Sequence, residues 1–200
     1  MTMHERNTLF RRIAVIGSSG SGKSTLSRTL GALSGLPIVH LDKEYWQPGW
    51  VEPDRDGWNA RLADLAARPE WIIDGQYGSS LLPRLQRADL AIFLDPPTRV
   101  CLWRIARRTI GTYGRVRPDM GEGCPERINL EFIHFVAPFR RLQRPKIVAA
   151  LDGSGVSTVW LRSRREQAAF GVTLREQGLS AAVAAAPAWP QPSGFSSTTM

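Results

Sequence analysis

At 200 residues and 22.2 kDa the chain can bury a core without disulfides or a structural metal. Hydrophobic residues make up 42% and no window nears the ~18 consecutive apolar residues of a membrane span, so no membrane association is expected. The net charge of +8 is local: between residues 97 and 146 lie eleven basic residues and four acids, and only three residues of the whole chain are lysine.

Residues 1–10 carry Glu5 and no apolar run, which reads as an N-terminal extension rather than a secretory signal. RRIAVIG (11–17) is a short apolar strand, and GSSGSGKS (17–24) follows it directly, fitting G-x-x-x-x-G-K-[ST] at every fixed position. Glycines at 17, 20 and 22 let the backbone curl so that N–H groups converge on phosphate oxygens. Ser18, Ser21 and Thr25 belong to the same cradle, and the helix that follows (24–34) adds its positive end. Lys23 is placed to reach the β/γ-phosphates and the Ser24 hydroxyl to ligate Mg²⁺. The pattern therefore predicts that Gly17, Ser18, Gly20, Ser21, Gly22, Lys23, Ser24 and Thr25 bind ATP, with Mg²⁺ as its metal.

PIVHLD (37–42) reads as the second strand, and 54–68 as a helix capped by Asp54 with Trp58, Leu62 and Leu65 inward. WIIDG (71–75) and LAIFLD (90–95) are the third and fourth strands, the latter stopped by Pro96-Pro97. Helix 98–110 follows, with Val100, Trp103, Ala106 and Ile110 as its expected buried face, then a Gly/Pro-rich loop over 111–126. A long helical region, 127–151, has Ile128, Phe132, Phe135, Phe139 and Leu142 in register and is expected to kink or divide at Pro138 and Pro145. VSTVWLR (156–162) is the fifth strand and 164–177 the last helix. The uncharged Ala/Pro/Ser/Thr segment 179–200 reads as a disordered tail. Five apolar strands alternating with helices predict one α/β domain over 11–178, a three-layer P-loop NTPase fold with a parallel sheet covered on both faces.

Three strands end in aspartate, and ligands gather at the carboxyl ends of strands in such sheets. Asp74, on an apolar strand before Gly75, is the expected Mg²⁺ partner. Asp42 is the expected acceptor of a substrate hydroxyl proton, with a metal-site role as its alternative. Asp95, before two prolines, reads as a turn or capping residue. Trp46 and Trp50 flank Pro48-Gly49 and either stack a base or sugar or simply pack. Arg107, Arg115 and Arg117 are the expected catalytic arginines of a lid spanning about 109–127, because phosphoryl transfer needs charge neutralised and water excluded. Arg104 and Arg108 share the helix face of Arg107. Glu131 and His134 form an E-x-x-H without the partners a di-metal site needs, and Cys124 reads as a structural turn cysteine. Cys101 and Cys124 form no C-x-x-C pair, and the reducing cytoplasm is the expected compartment.

The runs HLDKEYWQPGW (40–50), WIIDGQY (71–77) and RPDMGEGCPE (117–126) resemble the P-loop proteins called DNA topology modulation proteins, which look like relatives of adenylate kinase and other small nucleotide kinases. The resemblance spans roughly 11–170; Gln76 stands where the family pattern has Asn, and 180–200 matches nothing. It implies a sheet of order 2-3-1-4-5 and a mobile lid. The expectation is a kinase moving the γ-phosphoryl of MgATP to a small acceptor, such as a nucleoside or nucleotide. The alternative is an ATP-binding regulator acting on DNA topology. Nucleic acid is the less favoured partner, since the arginines do not alternate with aromatic platforms in the sequence and no nucleic-acid-binding motif appears.

Overall fold

All five expected strands are present in the computed structural model, which describes residues 10–187, 189 and 190. They are β1 (Arg12–Gly17), β2 (Ile38–His40), β3 (Trp71–Asp74), β4 (Leu90–Leu94) and β5 (Thr158–Leu161). Every pairing is parallel and the order is β2-β3-β1-β4-β5, as expected. Ten helices surround the sheet among the described residues: α1 (Lys23–Ser34), α2 (Leu41–Tyr45), α3 (Arg55–Ala67), α4 (Leu81–Arg87), α5 (Thr98–Thr112), α6 (Leu130–Val136), α7 (Phe139–Leu142), α8 (Arg144–Ser154), α9 (Arg164–Gln177) and α10 (Leu179–Ala185).

Alternation along the strands splits the core into two layers. Ala14, Ile16, Ile73 and Phe93 pack with Trp58, Leu62 and Leu65 of α3, Leu85 of α4, and Ile147 and Leu151 of α8. On the other face Ile13, Val15, Ile72 and Ile92 meet Leu30 of α1, Phe170 and Leu174 of α9, and Leu179 of α10. Asp54 caps α3 as expected, accepting the Gly57 N–H at 2.7 Å.

Several expectations need correction. The second strand stops at His40, because β2 is an edge strand that pairs with β3 only through 38–40; the chain then turns into α2, burying Leu41. Asp42 is thus a helical residue rather than a strand end. Region 127–151 is divided by its prolines into α6, α7 and α8, one of the two outcomes expected, but Ile128, Phe135 and Leu142 of the supposed stripe are exposed. The buried face of α5 is Cys101, Ile105 and Thr109, whereas Trp103 and Ile110 face outward. The segment from 179 begins as a packed helix: Leu179 and Ala182 are buried, and Trp189 donates from Nε1 to Asp152 at 2.8 Å. Alanine favours helix, and burial of these apolar side chains offsets the absence of charge. Residues 191–200, and 1–9 of the N-terminal extension, lie outside the described residues.

Asp89 fastens the start of β1 ahead of β4. Its carboxylate accepts the backbone N–H groups of Arg11 (2.9 Å) and Arg12 (2.8 Å) and the Arg12 guanidinium (2.8 Å). Burial alone would raise its pKa, but these donors outweigh burial and hold it below the usual carboxylate value. Asp89→Ala is expected to cost about 1–2 kcal/mol of stability at pH 7 in urea unfolding. A depressed carboxylate stabilises above its unfolded pKa of ~3.9 and stops doing so as pH falls through its folded value. The gap between wild type and variant should therefore close on acidification below about pH 4. A constant gap down to pH 2 would contradict this assignment.

Candidate active site

The P-loop curls between β1 and α1 at the carboxyl edge of the sheet. Gly20 has φ +75°, and a Cβ there would stand 2.5 Å from the Cys101 carbonyl oxygen of α5, so the loop can lie this close only with glycine. Helix α1 starts at Gly22 with no side-chain cap and no acid in its first turn. Its leading N–H groups therefore have no side-chain acceptor, which is the donor set a phosphate requires. Lys23 donates from Nζ to the Ser18 carbonyl oxygen at 3.0 Å, held at the rim of the same curl. Ser18 and Ser21 are buried, and the Ser21 N–H donates to the Ser18 carbonyl oxygen at 3.1 Å. Thr25 is exposed and borders a cleft of about 380 Å³ between α1, α5 and α9, lined also by Leu26, Thr29, Arg104 and Gln167. Arg104 closes one side of it, donating to the Ser21 carbonyl oxygen at 2.8 Å.

Asp42 lies in the first turn of α2 and its Oδ1 accepts the Tyr77 hydroxyl at 3.0 Å. Burial, then the Asp42 charge, push the Tyr77 pKa far above the phenol value, so Tyr77 remains the donor at any working pH. Tyr77 has φ +33°, held by packing within 5.0 Å of both Tyr45 and Trp58. Trp46 and Trp50 pack edge to face at 5.4 Å, which is the packing alternative of the sequence reading.

Asp74 is buried at the end of β3, with Oδ2 2.7 Å from His40 Nδ1 across the β2–β3 register. Burial disfavours the imidazolium, but the hydrogen bond and charge of Asp74 outweigh it and raise the His40 pKa. Beneath the turn after β3, Arg84 is fully buried and donates to the carbonyl oxygens of Gly75 (2.8 Å) and Gln76 (2.9 Å). Its pKa is lowered to about 10 by burial, against the opposing charge of Asp74. Arg84→Met should lower stability by about 2–4 kcal/mol in denaturant unfolding, since two buried carbonyls lose their donor. A loss under 0.5 kcal/mol would show that the turn does not depend on it.

The expected lid arginines separate. Arg107 is exposed and stacks over the exposed Trp103 ring at 5.5 Å, and Arg115 is exposed as well. Only Arg117 turns inward, pairing with Asp119 at 3.0 Å and Glu126 at 2.8 Å. Burial works against ionisation of Asp119, but opposing effects, the Arg117 charge first among them, hold its pKa below the usual carboxylate value. Asp95 is no cap: it is buried against Arg144 (2.8 Å) and the Trp160 indole N–H (3.3 Å), tying α8 to the end of β4. Cys124 is buried in a turn, and Glu131 and His134 are exposed, both as expected.

A cradle of this form at the edge of a 2-3-1-4-5 parallel sheet invites comparison with solved structures. Shikimate kinase from Acinetobacter baumannii in complex with shikimate superposes with a TM-score of 0.56 at 16% identity, over 87% of this chain and 97% of that one. The fold is that of the P-loop kinases. A gluconokinase from Sinorhizobium meliloti 1021 gives a TM-score of 0.41 at 19% identity, covering 72% of this chain and 91% of that chain. No protein-family model and no curated protein matches the chain, so the likeness to DNA topology modulation proteins stays a resemblance. No helix among the described residues is long and apolar enough to cross a membrane.

The residues present fit MgATP in this fold. The donor set of 22–25 and Lys23 suit phosphates, and the Ser24 hydroxyl suits a hard cation. Among the described residues no group of three or more His, Cys, Asp or Glu could hold a metal by itself. A cation carried in on nucleotide phosphates does not need one.

Proposed function

We propose that the chain is a small-molecule kinase that transfers the γ-phosphoryl of MgATP to a hydroxyl of a small acceptor, nucleosides and nucleotides included. The observation that carries this reading is the Asp42–Tyr77 pair. The Asp42 carboxylate, held by the hydroxyl of a Tyr77 whose pKa burial raises, stands after β2 at the carboxyl end of the sheet where the P-loop also lies, and in this reading it is the general base.

In this reading the N–H groups of 22–25 and Lys23 hold the β/γ-phosphates, while Arg104 and Thr25 border the cleft for the nucleoside end. Mg²⁺ would supply charge neutralisation between the β- and γ-phosphates, with Ser24 as its ligand and Asp74 as the carboxylate at the neighbouring strand end. The acceptor oxygen forms its bond to the γ-phosphorus as the bond to the β-bridging oxygen breaks, and the acceptor proton passes to Asp42. Phosphorylated acceptor and ADP leave. Of the three expected lid arginines only Arg117 turns inward, against Asp119 and Glu126, while Arg104 already touches the P-loop at the Ser21 carbonyl oxygen; Arg107 and Arg115 would have to move to reach the phosphates.

The test is ADP release by the full chain with MgATP against a panel of nucleosides, nucleotides, sugars and hydroxy acids, shikimate and gluconate among them. One acceptor is expected to raise turnover well above the acceptor-free rate. No stimulation by any class would contradict the proposal.

A second reading, a DNA-acting ATP-binding regulator, gains from one observation. Trp103 and Tyr113 are exposed beside Arg107 and Arg115, so aromatic platforms do accompany the basic surface, contrary to the sequence argument. It predicts tight binding of single-stranded DNA that falls ~10³-fold or more between 50 and 200 mM salt. The kinase reading predicts little binding at 150 mM salt.

A further inference from the structure

The cleft between α1, α5 and α9 begins at the P-loop, with Gly22 and Thr25 in its wall, and continues along the two parallel helices α1 and α9. Its volume of about 380 Å³ is within the ordinary size of a small-molecule site. Leu94 and Leu161, at the ends of β4 and β5, give it an apolar lining. Among the described residues two cationic side chains line it and no carboxylate does. Arg104 is already engaged. It donates to the carbonyl oxygens of Gly20 (3.4 Å) and Ser21 (2.8 Å), and through both Nη1 and Nη2 to Gln167 Oε1 at 3.4 Å. Those two N–H groups fix which way the Gln167 amide faces and occupy its one oxygen. Arg175, in the last turn of α9, is the second cation. Its Nη1 lies 3.6 Å from where a Cβ on Gly171 would stand, one turn earlier, so the guanidinium folds back along α9 toward the P-loop end.

We propose that Arg175 reads the purine base of the bound nucleotide and selects guanine, making GTP a phosphoryl donor alongside ATP and the tighter-bound of the two. The edge of guanine that carries O6 and N7 presents two acceptors at the spacing of a guanidinium fork, and arginine donates to both at once. Adenine presents N7 beside its 6-amino group, which is a donor. A side chain that reads this edge must both donate and accept, as a free amide does. The amide in the cleft cannot do so, because the Gln167 oxygen is held by Arg104. No carboxylate lines the cleft to accept from the amino group either. Arg175 is exposed and carries five N–H donors with no acceptor. A lining rich in donors and poor in acceptors matches a base edge that only accepts. An Arg175 acting through charge alone would favour every nucleotide alike, since all carry the same phosphates.

This inference rests on the P-loop reading of nucleotide binding, and the experiment separates the two. Binding of ADP, GDP and IDP to the full chain with Mg²⁺ is measured by calorimetry, for wild type and Arg175→Met. IDP carries the O6 and N7 of guanine without its 2-amino group. Methionine keeps an apolar stem over Gly171 and removes the fork. Wild type is expected to bind GDP and IDP about tenfold or more tightly than ADP. In Arg175→Met both should weaken by about 10–100-fold, the value of a bidentate arginine–guanine contact, while ADP changes by less than about threefold. If the methionine variant does not fold, Arg175→Gln decides, with GDP and IDP weakened and ADP retained. ADP bound by wild type as tightly as GDP, IDP matching ADP instead of GDP, or equal weakening of all three in the variant overturns the role of Arg175 alone. Failure of the wild type to bind any of the three overturns the P-loop reading and this inference with it.

Discussion

Lys23→Ala is expected to give a folded protein that has lost most of its triphosphate affinity or turnover. Lys23 stands at the first position of α1, where alanine is a good helix former, and its ammonium makes one hydrogen bond, to the Ser18 carbonyl oxygen. No buried cluster includes its side chain. The fold therefore loses little, and thermal unfolding should shift by less than about 1 kcal/mol in stability. The phosphates lose a point charge that strengthens as negative charge gathers on the transferring oxygens, so a fall of about 10²–10³ in turnover is expected. Calorimetry of ATP binding and steady-state ADP release measure the two effects separately. A folded variant that binds and turns over ATP as the wild type does would remove the P-loop from the account.

Asp42→Asn should behave differently, keeping ATP affinity and losing transfer by about 10²–10⁴. Asparagine preserves the shape and still presents an oxygen to the Tyr77 hydroxyl, so the aromatic cluster around Tyr77 need not rearrange. What disappears is the charge that accepts the acceptor proton. The informative comparison is the acceptor-stimulated rate against the acceptor-free rate, with ATP affinity measured alongside. If MgATP affinity fell while transfer was spared, Asp42 would belong with the metal and its role would exchange with that of Asp74.

What could be read from the sequence was whatever is local. The apolar runs 12–17, 71–74 and 90–94 are buried on both sheet faces, which makes them continuous in hydrophobicity and hard to mistake. The P-loop is contiguous and its spacing carries its chemistry. The face of α5 is not legible locally because its inward residues, Cys101, Ile105 and Thr109, include two that are not strongly apolar, while Trp103 and Ile110 form a competing stripe that points outward. Short helices α2 and α4 fell below the length at which periodicity speaks, and Pro83 concealed α4, although proline sits in its first turn where no intrahelical N–H is needed. The partners at the site were not legible because they are distant in sequence. Tyr77 meets Asp42 across 35 positions, and His40 meets Asp74 across 34. The tyrosine in WIIDGQY and the histidine in HLD were visible residues, but nothing local pairs them.

The central claim is that the γ-phosphoryl leaves ATP for a small hydroxyl acceptor rather than for water or for no acceptor at all. The most direct measurement follows that phosphorus: γ-labelled ATP and Mg²⁺ are incubated with the full chain and each acceptor of the panel, and the label is located after separation. The account predicts label on one class of small acceptor, in amounts matching ADP formed, absent with Lys23→Ala and reduced about 10²–10⁴-fold with Asp42→Asn. Label found only as inorganic phosphate, at a rate indifferent to every acceptor and to Asp42, would contradict it.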